Sequence, residues 1–175
     1  MKFIILGSGS SMGVPRPDGF FGNCDPKNPK NLRSRCSALI KSSDMNVLID
    51  TSPDLRSQML KNKIVKLDTV IYTHHHADQT HGINDLRVFF LKRKKAIPVY
   101  LDINTKKYLS DAFLYCFKGS KEYPPILKSF DVKKKFKIGK FINVETVKVR
   151  HGSINSICYI INKKIAYLPD ANEIY

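Results

Sequence analysis

Four of the chain's five histidines fall within eight residues, in Thr73-His74-His75-His76-Ala77-Asp78-Gln79-Thr80-His81. A neutral imidazole offers a nitrogen lone pair near pH 7, which makes histidine the commonest protein ligand for a divalent metal ion. The cluster follows Thr69 to Tyr72, a β-branched and aromatic run that predicts a strand. On extended backbone, residues i and i+2 point the same way, so His74 and His76 can grip one ion while His75 faces elsewhere. A turn into the next helix then swings Asp78 and its neighbour toward a second position. Imidazole with carboxylate is the donor set for zinc or a similar divalent ion. Neither His-Glu-x-x-His nor a zinc-finger spacing is present, which excludes a zincin protease and a finger.

His151 follows the alternating stretch Phe141 to Val149 and is the only other imidazole available to complete a three-histidine site. Asp170 ends the run Ile165 to Leu168, as Asp50 ends Val47 to Ile49. Asp170 could bridge two ions, whereas Asp50 could orient a metal-bound histidine from behind. For both, a turn or capping role competes.

The elements that must hold these residues read as strands interspersed with helices. Lys2 to Leu6 predicts a buried strand, and Met12 to Arg35 a long loop on the substrate side. Strands follow at Ser37 to Lys41 and Asn46 to Asp50, then a helix capped by Ser52 with Pro53 at its first position, running toward Lys61. Asn84 to Lys94 and Asn104 to Phe117 have helical spacing, with Ile97 to Leu101 a strand between them. Phe136 to Ile138 and Phe141 to Val149 predict strands, and Ser156 to Asn162 with Lys164 to Leu168 a hairpin. The fold class is therefore mixed α and β, with helices outside sheets.

Other signals are weaker. Gly7-Ser8-Gly9-Ser10-Ser11-Met12-Gly13 misses the dinucleotide-binding spacing by one residue and is better read as a tight turn under an active site. Cys24, Cys36, Cys116 and Cys158 lie far apart and predict reduced thiols; a metal role for Cys24 and Cys36 is the competing reading. The length of 175 residues suits one domain over 1–175, and no apolar run approaches the ~20 residues of a membrane span. With no cleavable leader after Met1-Lys2-Phe3, a cytoplasmic protein is expected. The net charge of +15 suggests an anionic partner. Yet Lys, Asn and Ile share AT-rich codons and arginine is scarce, so codon composition accounts for the charge equally well.

Together these residues resemble the metallo-β-lactamase superfamily. His74, His76 and Asp78 meet its H-x-H-x-D signature, His151 its later histidine and Asp170 its bridging aspartate. The opening Leu6-Gly-Ser-Gly-Ser-Ser, the Cys24-Asp25-Pro26 loop, Asp50-Thr51-Ser52-Pro53-Asp54-Leu55-Arg56 and Thr80-His81-Gly82-Ile83-Asn84-Asp85-Leu86-Arg87 resemble its phosphoribosyl cyclic phosphodiesterase-like branch. The resemblance implies an αββα sandwich and a metal-dependent hydrolase of a phosphodiester, with a cyclic phosphate among the candidates. His74, His76 and His151 would hold one ion, and Asp78 with Asp170 a second. Asp78 and Asp170 are thus the implied catalytic acids, zinc the implied metal and manganese its alternative. A hydroxide drawn from metal-bound water would attack phosphorus. Arg16, Arg33 and Arg35 in the long loop are the implied phosphate contacts.

Two departures stand out. Gln79 occupies a position that is commonly histidine, so the second ion should bind less tightly or recruit His81. The chain also stops soon after Asp170, whereas the family continues and supplies a last histidine. The sequence therefore predicts a fold lacking its C-terminal half, with Phe141 to Val149 and Ile157 to Ile161 poorly covered, and a need for a complementing fragment or a homodimer. The partners expected are a small phosphodiester or nucleotide-like substrate and no membrane, with nucleic acid not favoured. A non-catalytic metal- or polyanion-binding remnant and an RNA-processing nuclease are the alternatives.

Overall fold

A computed structural model describes residues 1–174 of the chain. Two sheets pack face to face. The first has the order β1 (Lys2–Gly7), β2 (Ser37–Lys41), β3 (Asn46–Ile49), β4 (Thr69–Ile71), β5 (Ile97–Leu101) and β6 (Leu127–Asp131). The β1, β2 and β3 strands run antiparallel, and β3 to β6 run parallel. In the second sheet the long β8 (Ile142–His151) pairs with β9 (Ile154–Ile161), which pairs with β10 (Ile165–Tyr167). Along its other edge β8 pairs with β7 (Lys135–Ile138) and β11 (Glu173–Ile174).

Side-chain alternation explains the layers. In β2 and β3, Leu39 and Leu48 point one way while Ala38, Ile40, Val47 and Ile49 point the other. The first set joins Leu55 and Met59 of α1 (Leu55–Lys61), Phe89 of α3 (Arg87–Arg93), Leu109 of α4 (Ile103–Ala112) and Cys116 of α5 (Leu114–Phe117) in one core. The second set meets Ile142, Val144, Ile157, Tyr159 and Ile161 of the other sheet in a second core, to which no helix contributes. The described residues thus build the α, β and β layers.

The structure corrects several readings. The expected buried strand at Lys2 to Leu6 is an edge strand, with Ile5 65% exposed. The poor cover expected over β8 and β9 is found only in part: Val144, Val149, Tyr159 and Ile161 are almost wholly buried, whereas Phe141 is 55% exposed. The long helix expected from Asn104 breaks at Phe113, which leaves the helical region at φ −126° and ψ 44°. The helix expected from Asn84 begins as a tighter 3-10 turn at Ile83–Leu86. Helix α1 starts at Leu55 after Asp54, two residues beyond the Ser52 cap that was expected. Strand β6 had no signal, since Leu127-Lys-Ser-Phe-Asp131 carries little apolar alternation and is held by pairing with β5. The turn at Asn162-Lys163 is as expected: both residues have positive φ, 51° and 55°, matching the twist of a tight hairpin. Among the described residues, no helix is long and apolar enough to cross a membrane.

Candidate metal centre

Parallel strands present their C-terminal ends along one edge of the first sheet, which is where open α/β sheets carry ligands. Asp50 follows β3 there, and Thr73-His74 follows β4. The chain then turns into the single-turn helix α2 (Ala77–Thr80), which carries Asp78 and Gln79. Thr51 clamps this turn: its N–H donates to Gln79 O at 2.7 Å, its hydroxyl to Thr80 O at 2.9 Å, and its carbonyl accepts from Gly82 N at 2.9 Å. Gly82 must be glycine, because a Cβ would lie 2.0 Å from Ser52 O.

The second sheet delivers His151 from the end of β8. Two bonds pin it to the first. Ile157 N donates to Thr73 O at 2.9 Å, and the Tyr159 hydroxyl to Tyr72 O at 2.7 Å. Across this seam His74, His76 and His151 converge, with one ligand nitrogen from each lying within 4.8 Å of the others. His151 Nε2 and His76 Nδ1 are 3.1 Å apart, while His74 Nε2 is buried with no hydrogen-bond partner. A buried imidazole nitrogen without a partner is costly unless something unseen completes it. A divalent cation fits that donor set.

The His74 ring is oriented from behind. Asp50 is fully buried and accepts from Thr73 N at 2.7 Å and from the Thr73 hydroxyl at 2.8 Å. Thr73 Oγ1 is 3.0 Å from His74 Nδ1. With Nδ1–H donating to Thr73, the tautomer assigned from this relay, Nε2 turns its lone pair toward the other two rings. Burial pushes the His74 imidazole down to about 3, helped by the neighbouring rings, and pushes His76 down as well. Both are thus neutral and ready to donate at ordinary pH.

Comparison with known proteins decides the lineage. Residues 45–175 match the family model described as a β-lactamase superfamily domain. The chain belongs to the β-lactamase superfamily. A diphosphatase from the PhnP family is similar at 31% identity and a TM-score of 0.85, over 99% of this chain and 66% of that one. Zn(2+)-bound PqqB from Methylobacterium extorquens shares the fold at 16% identity and a TM-score of 0.73, over 100% of this chain and 67% of that one. An octanoyltransferase of Porphyromonas gingivalis (strain ATCC BAA-308 / W83) is 35% identical over 99% of this chain, yet the chain spans only 35% of that protein. The matched stretch is a minority of the octanoyltransferase, so that activity does not carry over.

Other residues singled out in this superfamily domain are placed less closely. Asp78 and Asp170 are outside the mutually close histidine group, although Asp170 Oδ2 is 3.9 Å from His151 Nε2. Gln79 is buried and its Oε1 has no hydrogen-bond partner. His81 packs edge-on against Phe113, with its Nδ1 3.1 Å from the Thr80 hydroxyl. Cys24 and Cys36 do not join the cluster, and all four cysteines are free. The arginine reading needs correction. Asp54 grips Arg35 through Nε at 3.0 Å, Nη2 at 2.7 Å and its backbone N–H at 2.8 Å, so its fork is occupied. Arg16 is paired with Asp18, and Arg33 turns to Lys30 O and Asn31. The Thr73 relay was missed, because nothing in the sequence marks a threonine before a histidine as its orienting partner.

Two buried groups give the metal-free domain an unusual pH profile. His74 falls from an ordinary 6.5 to about 3, so its contribution to stability is present above 6.5 and is lost as pH falls through 3. Burial raises Asp50 from 3.8 to about 8, so its contribution is present below 3.8 and is lost as pH rises through 8. Between pH 6.5 and 8 only Asp50 acts, and stability should fall by about 2 kcal/mol. Thermal melts in chelator across that window should show Tm dropping, and Asp50→Asn should flatten the profile. A rising Tm would refute this assignment. A cation on the histidines favours the Asp50 carboxylate instead.

Proposed function

We propose that this chain is a metal-dependent hydrolase of phosphodiesters. The observation that carries the reading is three imidazole nitrogens within 4.8 Å, one of them buried and unpartnered. His74, His76 and His151 would hold a divalent ion, zinc being the first choice for three imidazoles. Such an ion lowers the pKa of a bound water toward ~7 and draws electron density from a phosphoryl oxygen.

The chain's own residues supply the rest. Asp50 and Thr73 hold the His74 ring in its donating tautomer. Asp78 lies in α2, two residues after His76, and Asp170 Oδ2 is 3.9 Å from His151 Nε2. In this reading they would serve a second ion together with Gln79, or take the proton released by an attacking water. Similarity to a diphosphatase of the PhnP family supports phosphorus over an acyl or lactam carbon as the atom attacked.

The test is hydrolysis of bis(p-nitrophenyl) phosphate. Activity should disappear in chelator and return with zinc or manganese. No hydrolysis under any metal, with nucleic-acid binding that survives chelation, would replace the enzyme with a polyanion-binding remnant.

A further inference from the structure

A trough lies beside His75, next in the chain to the clustered histidines, and it differs in character from the metal centre. Its near part, about 620 Å³, is bounded by His75, Tyr108 and Ile154. His75 lies between two of the clustered histidines in the chain, and Ile154 is the cross-strand partner of His151. Asn104 and Lys107 of α4 line this part and also a larger groove of about 930 Å³. The larger groove runs between α4, the segment after β6 and strands β8 and β9 of the second sheet, with Lys133, Lys134 and Lys148 along it.

Charge pairing within the trough is uneven. Asp131 is bound by Lys106 at 2.8 Å, Asp111 by Lys107 at 3.0 Å, and Asp102 caps α4 by accepting from Thr105 N. Every carboxylate lining the trough therefore has a partner. Lys133, Lys134 and Lys148 are exposed, and none has a carboxylate within 4.0 Å among the described residues. Between these cations the walls are apolar, formed by Leu101, Val132, Val147 and Ile157. At the inner end Tyr108 is 39% exposed, its ring 5.3 Å from that of His75.

Cations at intervals, apolar walls and an aromatic face are what a single nucleic-acid strand requires, since phosphates need charge and bases need surfaces to stack on. The larger groove alone, about 930 Å³, is at the top of the ~300–1,000 Å³ range that suits one small ligand. We infer that the trough is a subsite for a short single strand whose scissile phosphodiester lies at the histidines, with a base against Tyr108 and later phosphates at Lys148, Lys133 and Lys134. This deepens the phosphodiester reading and rests on it.

The experiment uses the whole chain in chelator, with a dye-labelled oligothymidylate six nucleotides long followed by fluorescence anisotropy across a salt series. Three phosphate contacts predict a slope of log K against log salt of about −2. Replacing Lys133, Lys134 and Lys148 with glutamine should cost about tenfold in affinity at low salt and bring the slope toward zero. Glutamine at Lys92, Lys95 and Lys121, which do not line the trough, removes the same charge and should leave the slope near wild type. Tyr108→Ala should lose about tenfold.

Equal losses in both triple variants would overturn the subsite and leave the charge as a diffuse property of the surface. Competition by inorganic triphosphate as effective as by unlabelled hexamer would also overturn it, in favour of a small anion. Hydrolysis of bis(p-nitrophenyl) phosphate is scored separately. Its absence defeats the phosphodiester reading, whereas its presence without trough-dependent binding defeats this inference alone.

Discussion

His76→Ala should leave a protein that folds but no longer holds its ion. His76 is partly exposed, so truncating it opens no large cavity, and its loss leaves two imidazoles where three converge. Two ligands are too few for a stable zinc site, which takes three protein donors even when one position is open. Metal content by elemental analysis should fall from at least one ion per chain to near zero. Hydrolysis of bis(p-nitrophenyl) phosphate should fall by about 10³-fold or more, as the several kcal/mol supplied by the ion are withdrawn. His81→Ala is the comparison, because that ring packs on Phe113 outside the group and its variant should keep the ion. Stoichiometric zinc in His76→Ala would sink the three-histidine assignment.

Asp50→Ala should damage both stability and metal affinity. Its carboxyl satisfies two Thr73 donors in a fully buried place, so alanine strands a buried N–H and a hydroxyl. Its backbone sits at φ 61°, a left-handed conformation that Asp and Asn tolerate better than alanine. Together these should cost about 3 kcal/mol, read from denaturant unfolding of the metal-free protein. Metal affinity should drop about 10–100-fold as the His74 ring loses its orienting relay. Thr73→Val separates the two effects: it cuts the relay but keeps the backbone N–H to Asp50, so affinity should fall with less loss of stability. Unchanged affinity in both variants would make Asp50 a structural residue only.

The site was more legible in the sequence than the fold around it. His74 and His76 announce themselves through strand periodicity and local density, and His151 follows because no other imidazole remains. Asp50 was visible as a carboxylate at a strand end, and its choice between capping and orienting needed the Thr73 contacts. Arg35 shows the opposite failure. Its residue type suits phosphate, but its pairing with Asp54 across 19 positions has no local signature. Among the elements, β6 was invisible because its stability comes from a neighbouring strand rather than from its own pattern. The burial of β8 and β9 was misjudged in part, for a related reason. A strand's alternation says that one face is covered, without saying that the cover is the first sheet.

The seam between the sheets makes the metal centre a gauge of alignment. Two of the three donors travel with the first sheet and one with the second, held in register by Ile157 N on Thr73 O and the Tyr159 hydroxyl on Tyr72 O. A slip of a single residue along a strand is ~3.3 Å, comparable to the spacing of the donors themselves. Chemistry at the histidines therefore depends on packing that never touches substrate. Repacking at Ile49, Ile71 or Val144, in the layer between the sheets, would register as a change in ion affinity while each sheet kept its own hydrogen bonds.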